Sequence, residues 1–200
     1  MFIALLIVVA IIQVIMITDE NVVYDARPVI IVGIVLGTVL ISSLVTAGII
    51  YFYARKIIKL NDAFANQQYE KVIKNRNCSL FLKKGSKERD SILYAVAVSY
   101  LEIQNYEMFL KYINNISYSE LINAKFLWIA IYSVIIEDYE QFTLWKEQLQ
   151  NSTNENKKES GLKLLDILYK HKKENYILND EEKEDVLKFK SNVLNSLFGL

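Results

Sequence analysis

An uninterrupted apolar stretch near the start of the chain, Val29 to Ala54, limits what the rest of the sequence can fold into. Its 26 residues contain no charged side chain, and Arg55 and Lys56 follow at once. As a helix it would reach about 39 Å at about 1.5 Å per residue, whereas the hydrocarbon core of a bilayer is about 30 Å thick. The stretch therefore predicts a transmembrane helix.

A second apolar segment precedes this one. Residues 1–18 are apolar except for Gln13 and Thr18, and as a helix they would reach about 27 Å, just enough to cross a bilayer. A cleaved signal peptide is the alternative, but no Lys or Arg precedes the apolar run and no Ala-x-Ala-like site follows it. We expect a retained hairpin of two spans, residues 1–18 and 29–54, joined by residues 19–28.

Positive charge is concentrated at the far end of the second span. The connection carries Arg27 against three acidic residues, whereas Arg55, Lys56 and Lys59 crowd the other end. Because the cytoplasmic flanks of membrane helices are enriched in basic residues, this asymmetry predicts a two-pass protein of the cell membrane with both termini in the cytoplasm. Residues 1–54 are then a transmembrane hairpin, and residues 55–200 a cytoplasmic domain.

The cytoplasmic domain distributes its charge unevenly. Residues 55–89 carry ten basic and three acidic side chains, and residues 90–200 carry twelve and seventeen. Anionic lipid attracts a basic residue near the membrane surface by about 1 kcal/mol, so Arg55, Lys56 and Lys59 are candidates for contact with membrane lipid. Beyond Lys59, an ordinary solvated helical face is an equal alternative. The basic residues do not alternate with exposed aromatic side chains, and we expect no nucleic-acid partner.

Small residues recur along the second span. Gly33 and Gly37 form a Gly-xxx-Gly pair, and Gly48 returns to nearly the same helical face. Such residues let two helices approach closely in a membrane. Packing against the first span of the same chain is the simplest use, and a homodimer formed through the second span is the alternative.

A short motif recurs three times in the cytoplasmic domain. It reads Gln68-Tyr69-Glu70, Asn105-Tyr106-Glu107 and Asp138-Tyr139-Glu140, at steps of 37 and 33 residues, and each copy follows a helix-patterned run. Periods in this range are typical of stacked helical hairpins.

At these motifs the chain resembles the tetratricopeptide repeat family, in which two antiparallel helices are joined by a tight turn just before a Tyr. The residues that match the family's packing positions are Leu93, Val96, Ala97, Tyr100 and Tyr106 in the clearest copy, and Phe126, Ile129, Ala130 and Tyr139 in the next. The resemblance implies an all-α fold, with two transmembrane helices followed by a stack of α-hairpins, and a groove that binds a protein partner.

The chain also departs from the family pattern. Ser133 replaces the second aromatic residue, and Phe109 and Phe142 stand where the family has a small side chain. The first copy is the poorest, and its first helix is expected to prolong the membrane span.

Turn and cap signals predict the remaining helices. Ser117 with Glu120, and Asn179 with Glu182, fit capping boxes at the starts of helices. Residues 151–160 are polar and predict a loop, followed by helices over residues 162–173 and 180–198, of which the last caps the stack.

The sequence contains no recognisable catalytic constellation. His171 is the only histidine and lies among lysines, which is typical of a solvated helix surface, and Cys78 is the only cysteine. We therefore expect no enzyme activity, no metal and no cofactor.

Two functional hypotheses remain open. One is a membrane-anchored adaptor that binds a protein segment, and the other is a small accessory subunit of a larger membrane assembly. Richness in Asn, Lys, Ile and Tyr suggests a bacterial source with an AT-rich genome.

Overall fold

The structure is a computed structural model that describes residues 27–155 and 157–200. It divides into two compact units, unit 1 (Met1–Arg55) and unit 2 (Lys56–Leu200). The predicted first span, residues 1–18, lies outside the described residues, as does most of the predicted connection. All of the regular elements in the described part are helices, which confirms the all-α class.

The described α-helices are numbered here in chain order. They are α1 (Arg27–Ala65), α2 (Tyr69–Lys74), α3 (Lys87–Glu102), α4 (Tyr106–Ile113), α5 (Ile122–Ile135), α6 (Tyr139–Gln150), α7 (Lys158–Glu174), α8 (Asp180–Leu187) and α9 (Asn192–Phe198). Two short 3-10 segments, Arg76–Phe81 and Ser119–Leu121, precede α3 and α5.

Helix α1 contains the predicted second span. Within Gly33–Ala65, the most apolar window of 18 residues has a mean hydropathy of 2.2, and none of that window is buried. By length and composition, α1 can therefore cross a membrane, and it is the one such helix in the described residues. The helix continues to Ala65, so the first helix of the first motif copy does prolong the span.

Each copy of the recurring motif follows the same turn. Gln67, Gln104 and Glu137 have left-handed φ angles of 56°, 59° and 59°. In each case the N–H of that residue donates to the carbonyl three residues back, and the next N–H donates to the carbonyl five residues back, at 2.8 to 3.1 Å. This pair of backbone hydrogen bonds is the Schellman motif, which closes the C-terminus of a helix.

After two of the three turns, the next residue caps the following helix with its side chain. Asn105 accepts a hydrogen bond from the backbone N–H of Met108 at 3.2 Å, and Asp138 accepts one from Gln141 at 3.0 Å. Gln68 stands at the equivalent place before α2 and makes no side-chain cap. At this cap position the two well-formed copies have the short side chain of Asn or Asp, whereas the first copy has the longer Gln.

Aromatic rings join successive hairpins in a repeated pattern. The ring pairs and centroid distances are Tyr106–Tyr132 5.6 Å, Phe109–Tyr132 5.5 Å, Tyr139–Tyr169 6.0 Å and Phe142–Tyr169 5.4 Å. Phe109 and Phe142 are 0 % and 2 % exposed. A tyrosine on the following helix therefore explains why these two positions hold Phe where the tetratricopeptide family has a small residue.

The predicted capping box at Ser117 is wrong. The backbone N–H and the hydroxyl of Ser117 both donate to the Asp90 carboxylate, at 2.7 and 3.3 Å, and the N–H of Tyr118 donates to it at 2.7 Å. Helix α5 starts only at Ile122, without a side-chain cap. Asp90 is fully buried in the first turn of α3, so a carboxylate 27 residues earlier in the chain holds this loop.

The predicted last helix is two helices. Lys190 has a φ of 49°, which ends α8, and Ser191 then caps α9 by accepting from the N–H of Leu194. The capping box of Asn179 and Glu182 at the start of α8 is confirmed. An uninterrupted amphipathic stripe could not show this break, because a left-handed lysine has no strong sequence signal.

The predicted loop over residues 151–160 is too long, because α7 already starts at Lys158. Gly161 therefore lies inside the first turns of α7, where a Cβ would stand 3.3 Å from Leu149 and 3.6 Å from Leu127. Close helix approach, not loop flexibility, is the reason for this glycine.

His171 is also less solvated than predicted. Its ring lies 5.1 Å from that of Phe198, and its Nδ1 lies 2.7 Å from the carbonyl oxygen of Tyr176.

Candidate functional site

Unit 2 contains a cleft of about 640 Å³ between α3, α5, α7 and α8. Its apolar floor and walls are formed by Tyr94, Ala124, Leu127, Trp128, Leu164, Ile167 and Phe189. The volume falls in the range of ligand-binding pockets, about 300–1,000 Å³.

A hydrogen-bonded aromatic pair lies in this cleft. The indole N–H of Trp128 donates to the hydroxyl oxygen of Tyr94 at 2.8 Å, and Trp128 is 4 % exposed. Burial raises the pKa of the Tyr94 hydroxyl, against the lowering effect of the bond from Trp128. The hydroxyl keeps its own proton, for which the described residues supply no acceptor, so Tyr94 can donate to a bound ligand.

The rim of the cleft carries equal numbers of positive and negative side chains. They are Lys157, Lys163, Lys188, Glu120, Glu159 and Asp185. Asp185 accepts from Lys163 at 2.5 Å and from Lys188 at 2.7 Å, and these bonds lower its pKa to about 2. The rim therefore neutralises itself, and it favours an occupant with little net charge.

Part of the cleft wall comes from the C-terminal segment. Phe189 and Lys188 follow α8, and Lys163 of α7 pairs with both Asp185 and Glu181 of α8, at 2.5 and 3.6 Å. The sequence predicted only that this segment caps the stack. In the structure it also narrows the cleft.

The predicted repeat-packing residues lie in the core of unit 2 or at its edge. Those that are buried are Leu93, Val96, Ala97, Tyr100, Ile129 and Ala130, and those that are half-buried are Tyr106, Phe126 and Tyr139. These residues pack the helices of unit 2 against one another, whereas other residues of the same helices line the cleft.

The predicted membrane residues all lie on α1. A Cβ added at Gly33, Gly37 or Gly48 would meet no described atom within 4 Å. Arg55 and Lys59 are exposed, and Lys56 is half-buried. None of these residues lines the cleft.

Sequence reasoning missed the residues of the cleft, although one signal for them exists. Tyr94 and Leu127 are separated by the same step of 33 residues as Ala97 and Ala130, and both line the cleft. Tyr94 directly follows the packing residue Leu93, and Leu127 directly follows Phe126. These neighbours make a second face of each helix apolar, and a second apolar face indicates contact with a further element.

Within residues 27–155 and 157–200, no group of three His, Cys, Asp or Glu side chains could hold a metal ion. Cys78 is buried, and burial raises the pKa of its thiol, which disfavours the reactive thiolate.

Comparison of the chain with protein-family models, with curated proteins and with solved structures found no match.

Proposed function

We propose that this protein is a membrane-anchored cytoplasmic adaptor whose tetratricopeptide-like hairpin stack binds a segment of a protein partner in the cleft of unit 2. The observation that carries the proposal is the cleft itself, which has an apolar floor, a self-neutralised rim and a free hydroxyl donor on Tyr94. An apolar side chain of the partner would fill the floor, and a backbone carbonyl would accept from Tyr94.

The repeated geometry of unit 2 supports the comparison with tetratricopeptide repeats. The three turns at Gln67, Gln104 and Glu137 share one hydrogen-bond pattern, and two successive hairpins share one aromatic contact. Short hairpins that pack on their neighbours in this way are the building blocks of helical-repeat binding proteins.

The proposed topology rests on charge and on helix length. Helix α1 can cross a membrane, and residues 1–18 supply the second span of the proposal. Arg55, Lys56 and Lys59 follow the apolar part of α1 and favour the cytoplasm as the location of unit 2. Both termini are then cytoplasmic.

An accessory subunit of a membrane assembly is the second candidate. Gly33, Gly37 and Gly48 favour it, since the described residues place no atom within 4 Å of a Cβ added at any of them. Small residues on such a helix face are suited to contact with another membrane helix. In that case unit 1 makes the functional contact.

Photo-crosslinking of the full chain in its native membrane distinguishes the two candidates. A crosslinking amino acid is placed at Leu121 in the cleft, at Leu144 on the exposed face of α6, or at Leu44 on α1. The adaptor predicts one adduct of defined mass from Leu121 only. The accessory subunit predicts an adduct from Leu44 only, and adducts from none of these positions would refute both.

A blocking variant makes the test specific to the cleft. Ala124→Trp places an indole in the cleft and is expected to abolish the Leu121 adduct. Ala65→Trp, at an exposed position at the end of α1, is the matched control and is expected to leave the adduct unchanged.

A further inference from the structure

A second, shallower depression lies where α2 turns back beside the end of α1. It has a volume of about 430 Å³ and is lined by Lys59, Asp62, Ala63, Asn66, Gln68, Lys71, Lys74 and Asn75. All of these residues belong to unit 2. The Schellman turn at Gln67 creates the depression, because it brings the lysines of α2 next to Lys59.

The depression has an excess of positive charge. Three lysines face one carboxylate, that of Asp62. Lys71 donates to the side-chain oxygen of Gln68 at 2.9 Å, and the described residues provide no hydrogen-bond or ion-pair partner for the ammonium groups of Lys59 and Lys74.

Lysines elsewhere in unit 2 are arranged differently. Eight ion pairs lie in the part of unit 2 from Lys87 to Lys188. Six of the later lysines are held in these pairs, whereas the three lysines of the depression share the single carboxylate of Asp62. An external anion would neutralise the positive charge that Asp62 leaves over.

We propose that Lys59, Lys71 and Lys74 bind the headgroup of an anionic phospholipid. Ammonium groups neutralise a phosphodiester as point charges, and Gln68 adds a side-chain amide to the same depression. The amides of Asn66 and Asn75 also line it, but each already donates to a backbone carbonyl, that of Asp62 or Lys71. The inference rests on the proposed membrane anchoring, since Lys59 follows Arg55 by only four residues of one continuous helix. It adds a specific lipid contact to that anchor.

Lysine footprinting tests the site in the intact protein. The full chain is reconstituted into nanodiscs of phosphatidylcholine, with or without phosphatidylserine, and its lysines are acylated and quantified by mass spectrometry. We expect acylation of Lys59, Lys71 and Lys74 to fall severalfold with phosphatidylserine. The exposed Lys111 and Lys172 serve as internal controls and are expected to stay unchanged; equal protection of all five lysines, or protection of none, would overturn the proposal.

A second measurement does not depend on membrane insertion. In detergent, native mass spectrometry measures binding of short-chain phosphatidylserine to the full chain. Since a basic residue near an anionic surface contributes about 1 kcal/mol, each of Lys71→Gln and Lys74→Gln is expected to weaken binding about fivefold, and Lys111→Gln is expected to have no effect. Equal affinity of all three variants for phosphatidylserine would contradict the proposed site.

Two further outcomes separate this site from its alternatives. Inorganic phosphate added to phosphatidylcholine nanodiscs is expected not to protect the lysines, and protection by phosphate alone would overturn the assignment to lipid. Failure of the chain to enter nanodiscs would refute the membrane anchor, while the detergent measurement would still decide whether the lysines bind the headgroup.

Discussion

Glu102 at the end of α3 accepts a hydrogen bond from the hydroxyl of Ser191 at 2.5 Å, which joins residues that are 89 positions apart. The other carboxylate oxygen accepts from the backbone N–H of Val193 at 3.1 Å. The carboxylate thereby fastens the start of α9 to α3. Burial raises the pKa of Glu102 above its ordinary 4.5, and the hydrogen bonds from Ser191 and from the backbone of Val193 and Asn192 oppose the rise.

The raised pKa of Glu102 predicts a pH dependence of stability. Well below pH 4.5, the ordinary pKa of a glutamate, the carboxyl is protonated in both the folded and unfolded states. As the pH rises above this value the unfolded state loses its proton first, so the free energy of unfolding falls until the pH passes the raised folded-state pKa. Glu102→Gln removes this penalty, and its stability relative to the wild type should therefore rise from pH 4.5 to neutral pH.

Urea unfolding of the detergent-solubilised full chain measures this difference. Both tryptophans, Trp128 and Trp145, lie in unit 2, so their fluorescence reports on that unit. Glu107→Gln, at an exposed position of α4, is the matched control. A relative stability of Glu102→Gln that falls with pH would contradict the predicted sign.

Asp90→Ala should be strongly destabilising. The substitution leaves the backbone N–H groups of Ser117 and Tyr118 without their acceptor, and loss of hydrogen bonds to a buried charged group is expected to cost about 2–3 kcal/mol. Asp166→Ala breaks only the surface pair with Lys146 and should cost less than about 1 kcal/mol. The same unfolding assay compares the two, and equal losses would show that Asp90 does not hold this loop.

Gln104→Gly should stabilise unit 2. A left-handed backbone costs an ordinary L-residue about 1–2 kcal/mol, of which the greater freedom of unfolded glycine offsets about 0.5–1 kcal/mol. We expect a net gain of about 0.5–1 kcal/mol in urea unfolding. Gln148→Gly, at an exposed position in the last turn of α6, should instead destabilise unit 2 by up to about 1 kcal/mol. Destabilisation by both variants would be inconsistent with a strained turn at Gln104.

Phe109→Ala should remove the more deeply buried of the two ring contacts that join the successive hairpins at Tyr132. Phe109 is fully buried and its ring lies 5.5 Å from that of Tyr132. Truncation of such a side chain is expected to cost about 3–5 kcal/mol. Leu144→Ala, at a position that is 45 % exposed, should change stability by less than about 0.5 kcal/mol. A loss at Phe109 no larger than that control would show that the aromatic contact does not stabilise the stack.

Local signals in the sequence predicted most of the helices. The charge-free run before Arg55 lies within α1, and the three Tyr-Glu motifs mark the starts of α2, α4 and α6. Asn179 and Glu182 form the expected capping box. These features depend on residues that are close together in the chain, so a single sequence is enough to find them.

Features that depend on distant residues were not predictable in this way. Ser117 fits a helix cap by its local pattern, but the buried carboxylate of Asp90 binds it instead. The cleft forms because α8 lies against α7, where Asp185 pairs with Lys163. No local sequence pattern predicts this contact between the two helices. At the break between α8 and α9, Ser191 likewise binds the distant Glu102, and no local pattern predicts that contact.

The return of α9 to α3 also affects when this protein can complete its fold during synthesis. An open array of repeats can order each hairpin as soon as it leaves the ribosome, because a repeat contacts only its neighbours. Glu102, in contrast, must wait for a residue 89 positions later. At about 5–20 residues per second this delay is roughly 4 to 18 s, during which the Glu102 carboxylate lacks the hydrogen bonds from Ser191 and Val193.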